Sequence, residues 1–121
     1  MNYQDFNDVV ESAITDLRET LSKKGATYSG KEDRLKNFKD AAELNHCLPV
    51  TALWGMVTKH IVALAQFIKM DEEEFEMVDY DEEACFPASL TTEREWREKI
   101  GDIRCYLTLL EGLLIDEGIY E

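Results

Sequence analysis

The feature that most constrains the fold is an apolar stripe with helical spacing, which returns in four separate segments of the chain. In the first segment, Tyr3–Lys24, apolar side chains recur every three or four residues, as on one face of an α-helix. Asn2 with Asp5 predicts the start of this helix, and Gly25 predicts its end. The stripe consists of Phe6, Val9, Val10, Ala13, Ile14, Leu17 and Leu21.

Two further segments carry the same pattern. A second helix is predicted from about Lys31 to Leu44, and Ser29 with Glu32 fits a capping box at its start. Its inward residues are Leu35, Phe38, Ala41, Ala42 and Leu44. A third helix is predicted from Pro49, a favourable first helical residue, to about Met70. Its stripe consists of Val50, Leu53, Trp54, Val57, Ile61, Leu64 and Ile68.

The composition changes sharply after the third helix. Nine of the 13 residues in Asp71–Glu83 are acidic, and no helical stripe holds there. An acidic surface excursion is therefore predicted over about residues 71–91. A last helix is predicted from Thr92 to about Glu117, with Glu95 completing a second capping box. Its stripe consists of Trp96, Ile100, Ile103, Leu107, Leu110 and Leu114.

Four helices with short connections predict an all-α fold, a four-helix-type bundle with an acidic surface excursion between the last two helices. The 121 residues are enough for a single helical domain, 1–121. A row of small residues lies on the back of the last helix: Gly101, Cys105, Thr108 and Gly112. Such a row is typical either of tolerated surface glycines or of a second helix contact. The second interpretation predicts a homodimer through the last helix.

Charge and cysteine usage exclude several classes of protein. The chain has 26 acidic against 13 basic residues, a formal net charge of −13. This charge disfavours direct binding to nucleic acid or to an anionic membrane, but permits a cationic partner, a divalent metal or mimicry of nucleic acid. Cys47, Cys85 and Cys105 form no CxxC pair, so no zinc cage is expected. No signal peptide or membrane span is recognised, and a cytoplasmic protein is expected.

Two groups of polar residues are candidates for a ligand site in the first half of the chain. Glu32, Asp33 and Asn37 could bind a divalent cation through oxygen atoms. Equally, Glu32 would be a cap, Asp33 would favour the positive end of the helix dipole, and Asn37 would be exposed. Lys59 and His60 lie at the margin of an apolar stripe, where they could face an anion such as phosphate. The alternative is a half-buried histidine beside a solvated lysine.

A third group lies on the last helix. Glu95, Glu98 and Asp102 share one face, and Tyr106 lies one turn beyond Asp102. Carboxylates stacked on a helix can bind Mg²⁺. In the alternative interpretation Glu95 is a cap, Glu98 is solvated, and Asp102 pairs with Lys99 or Arg104.

The acidic segment is open to two interpretations. It is either a solvated loop or a surface that imitates the phosphate spacing of nucleic acid and binds a basic site on another protein. In the second case Phe75 and Tyr80 would supply apolar anchors.

Three stretches, Tyr28–Phe38, Leu53–His60 and Trp96–Leu107, resemble a known family. It is the nucleotide-modification-associated domain, type 1, of bacteriophages and prophages. The family pattern is a tyrosine-glycine loop, an Asp-Arg and an Asn-Phe pair, a Lys-His pair, and a final Asp with a Tyr four residues later. Each part occurs here in order, over roughly residues 17–115. One departure is Cys105, where the family commonly has Asn.

The resemblance implies a cleft that gathers six side chains from three helices: Asp33, Asn37, Lys59, His60, Asp102 and Tyr106. The two carboxylates would bind Mg²⁺ or ribose, and the Lys-His pair would face a phosphate. The amide and the phenol would hydrogen-bond a base or sugar. No residue is assigned a catalytic role.

The resemblance also implies a function: a small phage-type protein of the host cytoplasm that binds a nucleotide or related phosphate ligand. A more distant similarity to the all-α nucleotide pyrophosphohydrolases implies a Mg²⁺-dependent hydrolase if the chain is an enzyme. That superfamily has an ExxE pair on an early helix, whereas the pair formed here by Glu95 and Glu98 lies in the last one. The alternatives are a non-catalytic acidic phage protein that binds and inhibits a host protein, and a purely structural helical subunit.

Overall fold

Four α-helices make up the described part of the chain in a computed structural model. They are α1 (Tyr3–Tyr28), α2 (Lys36–Asn45), α3 (Pro49–Val78) and α4 (Glu93–Asp116). The structure describes residues 1–28, 32–78 and 92–120, and within the helices it leaves out the side chains at 26, 28, 71 and 73–78. No strand occurs in these ranges. The predicted all-α class is therefore confirmed.

Helix α1 starts as predicted but does not end where predicted. The backbone N–H of Asp5 donates to Oδ1 of Asn2 at 2.8 Å, which caps the helix. The predicted end at Gly25 is wrong, because the helix continues to Tyr28. Gly25 is buried within the helix, where a Cβ would lie 2.5 Å from Nε of Arg34. The glycine thus leaves room for a side chain that crosses α1, rather than terminating the helix.

Helix α2 begins at Lys36, five residues later than predicted. Its N-cap, Leu35, has no side-chain cap hydrogen bond. Glu32 therefore precedes the helix, so it cannot be the third helical residue of the predicted capping box. Ser29, the predicted N-cap of that box, lies outside the described residues. Oδ1 of Asp33 instead accepts a hydrogen bond from the N–H of Leu35 at 3.0 Å. This carboxylate holds the turn that leads into α2.

Helix α3 ends at Val78, well beyond the predicted end at Met70. The first part of the predicted acidic excursion is therefore helical, and residues 79–91 lie outside the described part. The start of α4 is confirmed: Thr92 and Glu95 form the predicted capping box. The N–H of Glu95 donates to Thr92 Oγ1 at 3.2 Å, and the N–H of Thr92 donates to Glu95 Oε2 at 3.2 Å.

The core is small and joins α2, α3 and α4. Its fully buried members are Phe38, Leu53, Val57 and Leu113. Helices α3 and α4 run antiparallel, because Phe67 contacts Trp96 while His60 contacts Tyr106 further along α4.

Helix α4 is rotated relative to the predicted stripe. Cys105, from the row of small residues, is buried, and a Cβ at Gly112 would lie 3.8 Å from Leu35. Ile100 and Leu107, predicted to face the core, remain exposed. The small-residue row thus makes a second helix contact at these two positions, but within the chain.

The predicted inward stripes of α1 and α3 are only partly covered. On α1, which packs mainly against α4, Phe6, Val10 and Ile14 are exposed. The Pro49–Met70 stretch of α3 is long and apolar enough to cross a membrane by length and composition alone. One such helix is weak support for a membrane, and here Leu53 and Val57 belong to the core of the bundle.

Candidate functional site

Five polar or aromatic side chains from three helices meet beside the core. Nζ of Lys24 on α1 lies 3.0 Å from Oδ1 of Asp102 on α4. Oδ2 of Asp102 lies 3.7 Å from Nδ1 of His60 on α3. Nζ of Lys99 approaches the same Nδ1 at 3.2 Å, and the rings of His60 and Tyr106 stand 5.1 Å apart. We call this set the Lys24–Asp102 cluster.

The protonation of His60 follows from its surroundings. Burial lowers the pKa of His60 below its ordinary 6.5, and the neighbouring Lys99 lowers it further, against the opposing effect of Asp102. The imidazole is therefore neutral at pH 7. Because an ammonium can only donate, Nδ1 accepts from Lys99, which places the ring proton on Nε2.

Lys24 remains firmly protonated. Partial burial is the largest single effect and lowers its pKa, but the hydrogen bond to Asp102 and the negative charge of Asp102, with smaller contributions from Tyr106 and Cys105, together raise the pKa above 10.5. This lysine thus presents a permanent positive charge at the junction of α1 and α4. It has three N–H donors, so the bond to Asp102 leaves it able to donate elsewhere.

A recess of about 150 Å³ lies next to the cluster and shares two of its residues. Lys24 and Tyr106 line it together with Arg34, Asn37 and Met56. The guanidinium of Arg34 crosses α1 at Gly25 and donates to the carbonyl of Leu21 at 3.5 Å. Asn37 is half-buried in the wall of this recess and is engaged in interactions of its own. We call this recess the Arg34 pocket.

Cationic groups outnumber anionic ones here, in a chain whose net charge is −13. Lys24, Arg34 and Lys99 border the cluster and the pocket, against the carboxylate of Asp102. With His60 neutral, three positive charges and one negative charge give a local balance of +2 among these residues. The arrangement therefore favours an anion.

Asp33 does not join the predicted cleft. Its Oδ2 lies 2.8 Å from Nζ of Lys39, which also lies 3.0 Å from Oδ2 of Asp116 at the end of α4. The hydrogen bond from Lys39, followed by the one from Leu35, lowers the pKa of Asp33. Asp116 is 14 residues from Asp102, about 21 Å along the helix. Asp33 and Asp102 therefore cannot bind the same metal ion. This contradicts a shared metal site for the two carboxylates, which the family resemblance implies as Mg²⁺ or ribose ligands.

The other predicted residues fall into two groups. His60, Asp102 and Tyr106 lie together, and Asn37 lines the adjoining pocket with Tyr106. Lys59 is exposed on α3 and makes no described contact with the cluster.

Two residues of the site were missed by the sequence prediction. Lys24 was predicted only as the last residue of the first helix. Arg34 entered the sequence prediction only as the arginine of the Asp-Arg pair in the family pattern. The glycine at position 25, four residues after Leu21, was the one local signal that another side chain crosses α1.

The carboxylates of the last helix do not form a metal site in the described residues. Glu95 is engaged in the capping box, and Glu98 pairs with Arg94 at 3.2 Å on an exposed face. No group of three His, Cys, Asp or Glu side chains in the described ranges could hold a metal ion.

The thiol of Cys105 lies buried beside the cluster. Burial raises the pKa of Cys105, so the thiol stays protonated near neutral pH. A cysteine-based mechanism is therefore not supported at this position.

Two larger recesses lie along the α1–α4 contact. One, of about 340 Å³, has Asp102 in its wall together with Asp16 and Glu19, so the Lys24–Asp102 ion pair separates it from the Arg34 pocket. The other, of about 680 Å³, is an open groove with an apolar floor of Val9, Ala13, Trp96 and Ile100. Size alone does not make the groove the ligand site, since the half-buried polar groups Lys24, His60 and Asp102 converge elsewhere.

Comparison with family models, curated proteins and solved structures finds no match to this chain. The resemblance to the phage nucleotide-modification-associated family thus stays a prediction.

Proposed function

We propose that this chain binds a small phosphate-bearing ligand, with a nucleotide as the leading candidate, at the Lys24–Asp102 cluster and the Arg34 pocket. The observation that carries the proposal is the convergence of Lys24, Arg34 and Lys99 from three parts of the chain. Lysine and arginine are the side chains that bind phosphate, as a point charge and as a planar fork respectively.

The size of the recesses suggests how such a ligand would lie. The Arg34 pocket, at about 150 Å³, is smaller than the roughly 300–1,000 Å³ of typical small-molecule sites. It matches a phosphate or sugar rather than a whole nucleotide. The uncharged remainder of the ligand would extend across the Lys24–Asp102 ion pair into the neighbouring recess of about 340 Å³. The carboxylates of Asp16, Glu19, Glu98 and Asp102 line that recess and disfavour a phosphate there.

The aromatic and amide groups would orient the ligand. Tyr106 offers a hydroxyl and a ring face, and neutral His60 is a donor through Nε2. Asn37 lines the same pocket with an amide that can both donate and accept. These roles agree with those that the family resemblance implies for the three residues.

The residues present do not fit a magnesium site made by the protein alone. Asp102 is the one carboxylate of the cluster, and Lys24 already pairs with it. Mg²⁺ normally takes near-octahedral oxygen ligands, including waters and substrate phosphates. The proposal is therefore one of binding, and Mg²⁺ would enter, if at all, with the phosphates of the ligand.

The test is a thermal-shift and calorimetry panel of inorganic phosphate and nucleoside mono-, di- and triphosphates, with and without Mg²⁺. At 100 times the dissociation constant, a bound ligand stabilises the fold by about 2.7 kcal/mol. Lys24→Met and Lys99→Met should each weaken binding at least about tenfold, as expected for loss of a charged hydrogen bond. Lys59→Met, which removes the same charge from an exposed position one residue from His60, is the matched control.

Two results would overturn the proposal. One is the absence of a shift with every phosphate compound in the panel. The other is equal weakening by all three lysine variants, since this would reflect loss of overall charge rather than a defined site.

A further inference from the structure

Arg34 is the one cationic residue of the proposed ligand site that does not lie in a helix. Lys24 belongs to α1 and Lys99 to α4, whereas Arg34 occupies the turn that precedes α2. Its hydrogen bond to the carbonyl of Leu21 is 3.5 Å long, which is the limit for such a bond. A turn holds side chains less rigidly than a helix does. The direction in which Arg34 points therefore depends on what fixes the turn.

The residue after Arg34 anchors the turn to α4 through an apolar contact. The side chain of Leu35 lies over Gly112, 3.8 Å from the place where a Cβ would stand on that glycine. Leu35 also packs against the core that Phe38 and Leu113 share. This contact fixes the side of the turn that leads into α2.

The residue before Arg34 is anchored to α4 through an ionic bridge. Oδ2 of Asp33 lies 2.8 Å from Nζ of Lys39, and the same Nζ lies 3.0 Å from Oδ2 of Asp116. We call these three residues the Lys39 bridge. Asp116 follows Gly112 by four residues, so the two anchors stand on one face of α4, about 6 Å apart along the helix.

The carboxylate of Asp33 joins this bridge to the turn itself. While Oδ2 binds Lys39, Oδ1 accepts the backbone N–H of Leu35 at 3.0 Å. The carboxylate thus spans Arg34, because it bonds the residue that follows it. A lysine that holds Asp33 therefore also holds the backbone from which Arg34 projects.

We propose that Lys39 is a positioning residue of the ligand site. By joining Asp33 to Asp116, it fixes the turn in the orientation that carries the guanidinium of Arg34 across α1 and into the wall of the Arg34 pocket. Lys39 does not line that pocket, so it acts through Arg34 and not on the ligand. The inference rests on the proposed phosphate site, and it gives Asp33 a role other than that of a metal or ribose ligand.

The Lys39 bridge is too exposed for stability alone to explain it. The side chains of Lys39, Asp33 and Asp116 are 39%, 40% and 49% exposed. Ion pairs at such exposure contribute little to the free energy of unfolding, because water screens their charges. Their effect on binding is larger, since without the bridge a ligand must also order the turn and the long side chain of Arg34.

Calorimetric titration with inorganic phosphate tests the proposal on the whole chain. Lys39→Met should weaken phosphate binding about threefold to tenfold, the cost of ordering one long side chain and its turn. The midpoint of urea denaturation should barely change. Lys39→Arg should restore the binding, because a guanidinium can join the same two carboxylates.

Lys36→Met is the matched control. Lys36 lies three residues before Lys39 on α2 and pairs with Asp40 at 2.7 Å on an exposed face. Its replacement removes the same charge and should leave phosphate binding unchanged. In an Arg34→Met background, Lys39→Met should have no further effect on binding, because the residue through which it acts is gone.

The positioning role is overturned by undiminished phosphate binding in Lys39→Met, by equal weakening in Lys36→Met, or by full additivity of Lys39→Met with Arg34→Met. A large fall in the urea midpoint of Lys39→Met would also overturn it, since the bridge would then act on the stability of the fold. Absence of phosphate binding by the unaltered chain is a different result. It would overturn the proposed function itself, and the positioning role with it.

Discussion

Gly25 offers the sharpest test of how the site is built, because two opposing effects meet there. Replacement of a glycine inside a helix by alanine ordinarily stabilises the folded state by about 1 kcal/mol. At this position a Cβ would lie 2.5 Å from Nε and 2.8 Å from Cδ of Arg34. These distances are too short, so Gly25→Ala must displace the guanidinium that crosses α1.

The displacement removes a weak but charged hydrogen bond. Arg34 donates to the carbonyl of Leu21 at 3.5 Å, the long limit for such a bond. Because the bond is this long, its loss should cost about 1–1.5 kcal/mol, below the roughly 1.5–3 kcal/mol of a well-formed bond with a charged donor. For Gly25→Ala this cost offsets the gain in helix propensity, so the free energy of unfolding should change by no more than about 0.5 kcal/mol.

Gly55 provides the matched control. It lies inside α3, and a Cβ there would meet no atom within 4 Å. Gly55→Ala should therefore raise the free energy of unfolding by up to about 1 kcal/mol. Urea denaturation of both variants at one protein concentration measures the difference, and a phosphate titration measures the effect on the site.

The two variants should also differ in ligand binding. Gly25→Ala should weaken phosphate binding because Arg34 leaves the Arg34 pocket, and Gly55→Ala should not affect it. The reasoning would be refuted if Gly25→Ala stabilised the protein as much as Gly55→Ala and left binding intact. In that case Arg34 would not need the space that the glycine provides.

Three further predictions follow from the core, a helix cap and a buried histidine. Leu113→Ala should lower the free energy of unfolding by about 2–5 kcal/mol in urea denaturation, because the side chain is fully buried among Phe38 and its neighbours; a loss below 1 kcal/mol would contradict this core. Thr92→Ala should cost about 1 kcal/mol by loss of the capping box, while Thr92→Asn, which can still cap α4, should restore most of it. The free energy of unfolding should fall as the pH falls below about 6.5, because His60 binds a proton more readily in the unfolded state than in the folded state, where burial and Lys99 disfavour it. His60→Asn should remove this pH dependence. If the pH dependence persisted in His60→Asn, other groups would be its cause.

Local sequence signals predicted the helices well where the stabilising contacts are themselves local. The caps at Asn2 and at Thr92 with Glu95 are confirmed, because each bond joins residues three positions apart. Gly25 and Glu32 were misassigned for the opposite reason. Position 25 is a glycine because the side chain of Arg34 occupies the space that a Cβ would fill. Helix α2 starts after Glu32 because of the hydrogen bond between Asp33 and Leu35 and the packing of α2.

The candidate site could be predicted in part. His60, Asp102 and Tyr106 were named from their spacing and from a family resemblance, and the structure places them together. Lys24 could not be named with them, because 78 positions separate it from Asp102. Its role arises only when α1 packs on α4.

Periodicity and charge can be read residue by residue, and they sufficed for four amphipathic helices, the N-terminal caps of α1 and α4, and a strongly acidic composition. The tertiary structure decided which faces of those helices are covered. Helix α4 turns Cys105 and Tyr106 inward rather than Ile100 and Leu107, and Asp33 pairs with Lys39 instead of joining Asp102. An apolar stripe indicates that a face is to be buried, but the element that buries it is set by the arrangement of all the helices together.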